Sequence, residues 1–285
     1  MARKDQLQRF LFESAQVRGE IVHLEDSLQE VLSKRSLPAP AAHLLGESLA
    51  AVVLMSETLK YEGLLSLQAR GSGPVSLLVA ESTHERTIRG IAQCEDALEE
   101  GDLQQQLGEG HLVLTLEPAS GKRYQGIVPL EKASLADCLG EYFERSEQLG
   151  TLFILFANSG QAAGLFLQRL PGDRTEEDDH FWEHLTVLAR TLSAEELFTL
   201  DNETILHRLF HEEDIRLFPA QPVRFGCSCS EQRTGKALIA LGRDACYELL
   251  EEHQGNLAID CQFCHQRYTF DRTALDHLFG NPTLH

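Results

Sequence analysis

The chain has 285 residues, a formal net charge of −19 and seven cysteines. A chain of this length buries on the order of three quarters of its unfolded surface and needs no disulfides for stability, so the cysteines point to metal or redox chemistry and not to a secreted scaffold. The charge disfavours DNA, RNA and anionic membranes as partners, because phosphate binding depends on Lys and Arg.

The N-terminus, Met1-Ala2-Arg3-Lys4-Asp5-Gln6, has basic residues but no apolar segment after them, so no signal peptide is expected. No run approaches the roughly 20 apolar residues of a membrane span, and a soluble cytoplasmic protein is expected. Phe10-Leu11-Phe12 and Val17 to Val22 read as short strands, and Leu24 to Leu32 as the start of a helix. Pro38 and Pro40 interrupt the chain. Ala41 to Tyr61 then reads as a long helix, with Leu44, Leu45, Leu49, Val52, Val53 and Met55 at three- and four-residue steps.

From Leu64 the period changes to two. Strands are predicted at Leu65–Ala69, Val75–Val79, Arg86–Ala92, His111–Glu117 and Tyr124–Val128. They form an antiparallel meander with one face packed and one available. Gly71-Ser72-Gly73-Pro74 reads as a hairpin turn; it does not open a helix, so it is no phosphate loop. Ser134 to Glu147 reads as a helix N-capped by Ser134, with Leu135, Cys138, Leu139, Tyr142 and Phe143 on one stripe. Cys138 is expected in the core, and Cys94 has no partner motif. Thr151–Phe156 and Ala163–Gln168 read as paired strands across Asn158-Ser159-Gly160, and Pro171-Gly172 ends the first domain.

Residues 173–214 hold thirteen acidic and three basic residues, a balance of −10. The pattern is helical, through Phe181, Leu185, Leu188 and Leu192 and again over Asp201–Phe210. As structure this is a solvated helical connector. Energetically it carries large apolar residues yet repels itself, so its docking is expected to be marginal, because a short helix depends on what it packs against.

The tail carries Cys227-Ser228-Cys229, an interval of 31 residues, and Cys261-Gln262-Phe263-Cys264. Thr234–Gly242 reads as a helix or turn, Arg243–His253 as an amphipathic helix, and Gly255–Ile259 as a strand whose hairpin partner is Tyr268–Phe270. Two close cysteine pairs brought together make a four-thiolate pocket, which suits tetrahedral Zn²⁺ at Zn–S distances of about 2.3 Å. C-x-C places two sulfurs on one metal only if its loop curls. Gly226 is expected to allow that turn, and Phe225, Phe263, Tyr268 and Phe270 to supply apolar cover. The metal ligands are therefore assigned as Cys227, Cys229, Cys261 and Cys264. Cys246 reads as a packed thiol, and His265 as a poor competitor for a shell that four sulfurs complete.

A closed zinc staple, or unrelated buried thiols, are the plainer readings of the same residues. The sharper reading is a zinc site that doubles as a redox switch, because coordinated thiolates are the form that oxidants attack. Four cysteines allow three connectivities; the short spacings favour Cys227 with Cys229 and Cys261 with Cys264.

These residues resemble the redox-regulated 33-kDa heat-shock holdase chaperones of bacteria. The C-x-C and C-x₂-C pairs near thirty residues apart are that family's signature. Tyr142-Phe143-Glu144-Arg145-Ser146-Glu147-Gln148-Leu149 resembles its Y-F-x-x-S-E-Q motif, and Gly126-Ile127-Val128-Pro129-Leu130, Gly71-Ser72-Gly73-Pro74 and Arg89-Gly90-Ile91-Ala92 also fit. The likeness runs along essentially the whole chain; Gly150 stands where the family usually carries proline, and Cys246 matches nothing in the motif.

The resemblance implies an α+β protein in three parts. Residues 1–172 are a client-binding domain with a mostly antiparallel sheet and packed helices. Residues 173–224 are an acidic helical linker, and 225–285 a small zinc-binding redox-switch domain. It implies one zinc per chain when reduced, its loss on formation of the two local disulfides, unfolding of the tail, loosening of the linker and capture of unfolding clients. It also implies a homodimer when oxidised, no use of ATP and no enzymatic activity. Two other classes compete: a thiol–disulfide oxidoreductase using Cys261-x-x-Cys264, and a constitutive zinc adaptor or nucleic-acid binder. The first lacks the strand-then-helix setting, and the charge opposes the second.

Overall fold

Residues 5–58, 62–172 and 175–280 are described by the structure, a computed structural model. The chain divides into two compact units, Met1–Gly226 and Cys227–His285.

The first unit is built from two six-stranded sheets. One sheet contains β1 (Gln6–Phe12), β2 (Val17–Leu24), β8 (Thr151–Ala157), β9 (Ala162–Arg169) and β10 (Ile215–Leu217), in the order β10-β1-β2-β9-β8, with β11 (Gln221–Pro222) also on β1. The other contains β3 (Gly63–Gly71), β4 (Val75–Thr83), β5 (Thr87–Cys94), β6 (Gly110–Pro118), β7 (Tyr124–Pro129) and β12 (Arg224–Phe225), in the order β12-β5-β4-β3-β6-β7. All pairs are antiparallel except β12 on β5. This differs from the expected meander: β6 returns to pair β3, because both edges of the β3–β4 hairpin are open to a partner.

Between the sheets lies α2 (Ala39–Thr58), which packs on strands of both. It starts earlier than expected. Pro40 sits in its first turn, where a missing N–H costs nothing and the fixed φ favours the helix. The predicted extension to Tyr61 falls on residues 59–61, outside the described residues, as do residues 1–4 of the N-terminal reading. Against expectation, Ala39–Glu57 is long and apolar enough to cross a membrane, with mean hydropathy 1.3, yet 83% of that stretch is buried inside the protein. It is a core helix. Close packing explains its small residues: a Cβ on Gly164 of β9 would stand 2.9 Å from Leu54 of α2.

Strand β9 is buried on both faces from Ala162 to Gln168, so its sequence shows no alternation. Phe166 faces the α2 core, while Ala163, Leu165 and Leu167 join the opposite layer. That layer is the acidic segment, folded as α5 (Glu176–Ala189), α6 (Ala194–Thr199) and α7 (Asn202–Phe210). Leu192 lies beyond α5, in the connection to α6, although it was expected on the same helix. Thr175 and Ser193 close capping boxes with Asp178 and Glu196, and Asp201 caps α7; the acidic side chains thus satisfy orphan N–H groups at three helix starts. Leu185, Leu197, Ile205, Leu206, Leu209 and Phe210 are buried against the sheet. Phe12 meets Phe210 edge-on at 5.2 Å and Phe181 at 6.0 Å. Asn202 Oδ1 lies 2.9 Å from His23 Nε2, and its Nδ2 donates to Gln8 Oε1 at 2.8 Å.

Three further helices complete this unit: α1 (Asp26–Leu32), α3 (Leu103–Leu107) and α4 (Leu135–Tyr142). Leu24, expected to open a helix, ends β2 instead. α3 went unseen because it is five residues long, though its Asp102–Gln105 capping box is a local sign. Ser134 caps α4 as expected, accepting from Asp137 N at 3.1 Å. The predicted continuation to Glu147 is a π-helical turn, Phe143–Glu147, closed by Gln148 in the left-handed region.

Candidate metal centre

The second unit has little to hold it together. It comprises α8 (Glu231–Leu241), α9 (Arg243–Glu252), β13 (Asn256–Asp260), β14 (Arg267–Asp271) and α10 (Arg272–Gly280). α10 was not anticipated. The buried core is Leu238, Cys246, Leu250, Leu257, Phe270 and Leu275. Tyr247, Leu249, Ile259, Tyr268, Ala274, Leu278 and Phe279 pack partly buried against it; a core of this size leaves a domain marginal, and a metal staple is a common supplement.

The cysteines stand at the ends of these elements. Cys227 and Cys229 precede α8, whose N-cap Ser230 accepts from Arg233 N at 3.1 Å. Arg233 also donates from Nη1 to the Ser228 carbonyl at 3.2 Å, which curls the C-x-C loop as a shared metal requires. Cys261 follows β13, and Cys264 lies in the turn to β14. That turn is a tight knuckle: Cys261 N donates to Gln266 O and His265 N to Cys261 O, both at 2.9 Å. His265 adopts φ 57° and points no nitrogen into the cluster. The strands beyond are pinned by the cross-strand pair Arg267–Asp260, bidentate at 2.7 Å on each arm.

All four sulfurs lie within 4.8 Å of one another. Cys227 and Cys261 approach to 3.6 Å, and Cys229 and Cys264 to 3.4 Å. A tetrahedral Zn²⁺ with Zn–S bonds of about 2.3 Å sets its sulfurs roughly 3.8 Å apart, whereas a disulfide closes them to about 2.05 Å. The observed spacing fits a shared ion and not a bond; all seven cysteines are unbridged. Among the described residues this is the sole group of three or more His, Cys, Asp or Glu donors so close together. Burial, and the neighbouring sulfurs after it, push the Cys264 thiol up to about 12. Four thiolates this close cannot coexist at neutral pH without a cation to neutralise them.

Tyr268, read from sequence only as apolar cover, donates its O–H to Cys229 Sγ at 3.2 Å; that bond to sulfur, with burial, holds the phenol at about 12. Phe270 is buried in the tail core. Phe225, expected as cover for the sulfurs, sits in β12, packs on the α2 core and lies under Lys34 at 5.4 Å. Gly226 has no left-handed φ; it is needed because a Cβ there would come within 2.5 Å of Thr87 Cγ2. The remaining cysteines stand apart from the cluster. Cys138 is buried in the α2 core, Cys94 is half-buried at the end of β5, and Cys246 is fully buried, its thiol donating to Leu238 O at 3.3 Å.

The profile of the Hsp33 protein family matches residues 5–271. The chain belongs to the Hsp33 family. It is 53% identical over 285 residues to the 33 kDa chaperonin of Pseudomonas aeruginosa (strain LESB58), covering 98% of this chain and 96% of that one. It is 51% identical over 281 residues to the 33 kDa chaperonin of Pseudomonas fluorescens, covering 97% and 94%. Among solved structures it is similar to the 33 kDa chaperonin of Thermotoga maritima, with TM-score 0.83 and 25% identity over 97% of this chain and 98% of that one. The α+β architecture is thus shared with that structure at 25% identity.

Proposed function

We propose that this chain is an ATP-independent holdase, switched on by oxidation of a four-cysteine zinc centre, that keeps unfolding or oxidatively damaged proteins from aggregating in the cytoplasm. The observation that carries the reading is the spacing of the four sulfurs, suited to one ion per chain and set in a domain with a small core. Membership of a family whose relatives are named chaperonins supports it.

In this reading Cys227, Cys229, Cys261 and Cys264 hold Zn²⁺, and the ion supplies the order that the tail's core does not. Metal binding in such domains is largely folding free energy, on the order of 10 kcal/mol, against a total stability of about 5–15 kcal/mol for a domain. Two equivalents of peroxide, each taking two electrons and two protons as its O–O bond breaks and leaving as two waters, would turn the four thiolates into the disulfides Cys227–Cys229 and Cys261–Cys264, which no longer hold an ion. The approaches of 3.6 and 3.4 Å run between the two pairs, and the local disulfides form as the cluster comes apart. Unfolding of the tail then strains β12, only two residues long and ending one residue before the tail begins. The linker helices α5–α7 loosen, the apolar surface of β1, β2, β8 and β9 is uncovered, and clients and a second oxidised copy bind there.

The protein acts without catalysis, nucleic acid or membrane. Cys261-x-x-Cys264 lies in a hairpin turn and not at a helix start, which weighs against an oxidoreductase. The test is light scattering from an aggregating client with the reduced and the peroxide-treated chain. Suppression only after peroxide is expected; equal suppression in both states rejects the switch.

A further inference from the structure

The acidic layer carries a feature that the sulfur centre leaves unused. His207 lies on α7 and His211 at its C-terminal end. A helix sets residues four apart on one face, one turn from each other. The two rings stand 6.1 Å apart between centroids, inclined at 71°, and both residues are exposed. Two imidazoles at this spacing on a helix are the donor pair of helical zinc sites. Zinc–nitrogen bonds are about 2.0–2.1 Å long, and a centroid separation of 6.1 Å is close to that of two imidazoles sharing an ion.

The same end of α7 offers further donors. His184 Nε2 on α5 lies 3.9 Å from Glu213 Oε1, and Glu213 follows His211 by two residues. The histidine pair is the anchor, and Glu213, two residues beyond His211, is the candidate third donor. The balance of −10 over residues 173–214 draws divalent cations to the layer. Imidazole nitrogens select late first-row ions over Mg²⁺ and Ca²⁺.

We propose that His207 and His211 form a second metal site, for Zn²⁺ or a similar late first-row divalent ion, distinct from the four thiolates. An ion held there requires α7 to be helical through its last turn, so by mass action it stabilises the docked layer. Metal supply would then oppose release of the linker, independently of the oxidation state of the sulfurs. This site does not depend on the chaperone reading: it stands or falls by its own ligands.

The test is calorimetric titration of the reduced, zinc-loaded full-length chain with Zn²⁺, with His207→Ala, His211→Ala, the double variant and His253→Ala, an exposed histidine on the tail. One further equivalent per chain is expected, weakened at least tenfold by either linker variant and unchanged by His253→Ala. Emission of Trp182, the chain's single tryptophan and a residue of α5, should move to a higher melting midpoint with added Zn²⁺ in the parent and not in the double variant. No further equivalent, or one that survives in the double variant as adventitious binding to acidic surface, overturns the site. Sulfurs that prove metal-free in the reduced chain would defeat the switch but leave this outcome readable.

Discussion

Trp182 lies against the backbone of Gly150: a Cβ at that position would stand 3.3 Å from Cε2 and Nε1 of the indole and 2.9 Å from Cδ of Arg169. Arg169 in turn bridges to Asp179 on α5 at 2.5 Å. The start of the acidic layer is therefore seated on the junction between the π-helical turn and β8, and the glycine makes room for the ring. Gly150→Ala should displace Arg169 and the indole at a cost of about 1 kcal/mol. A red shift of Trp182 emission and faster proteolysis near α5 in the reduced protein would check it.

Phe210 meets Phe12 edge-on within the core of the layer. Phe210 is 2% exposed, and truncating such a buried ring costs about 3–5 kcal/mol. Phe210→Ala should release α7 while the sulfurs stay reduced. The expected outcome is client protection without peroxide, with zinc content unchanged. Full dependence on peroxide in this variant would mean that the layer does not gate the surface beneath it.

Tyr268→Phe removes the O–H that Cys229 accepts and little else. Partners of metal ligands commonly change affinity by 10–100-fold. Zinc should bind about tenfold more weakly and leave at lower peroxide, with the reduced fold intact by circular dichroism. Competition with a chromophoric chelator measures this directly.

Glu47 on α2 lines a cleft with His43, Glu100 and Asp102. Burial raises its carboxyl from 4.5 to about 7. A raised acid pKa means that the folded state holds the proton more tightly, so this stabilisation is full below pH 4.5 and is lost as pH rises through 7. The residue is half-buried, and solvent screening leaves a loss on the order of 1–2 kcal/mol. Glu47→Gln should flatten that part of the profile, read as denaturant midpoints from pH 4.5 to 8. Parallel curves for the two proteins would contradict it.

Much of this was legible in the residues. Alternation over His111–Glu117 marked β6 because one face of that sheet is covered, and Ser134 announced α4 through its cap. The sulfur cluster was visible because ligand chemistry depends on residue type and spacing, which a sequence states directly. Other features depend on contacts that no local pattern encodes. Strands β10, β11 and β12 are two or three residues long and exist only because β1 and β5 have open edges. Phe225 turns to the α2 core through its pairing with β5, although it stands two residues from Cys227. Tyr268 reads as any strand aromatic until the hairpin brings its hydroxyl to Cys229.

The central claim is that one ion orders the tail and that oxidising its sulfurs releases the layer under which clients bind. Zinc released per chain, titrated against peroxide with Trp182 emission followed in the same samples, tests it most directly. One equivalent should depart as the emission shifts, along a single curve. An indole signal that stays fixed while all the zinc leaves, or a reduced chain that holds no zinc at the outset, would contradict the account.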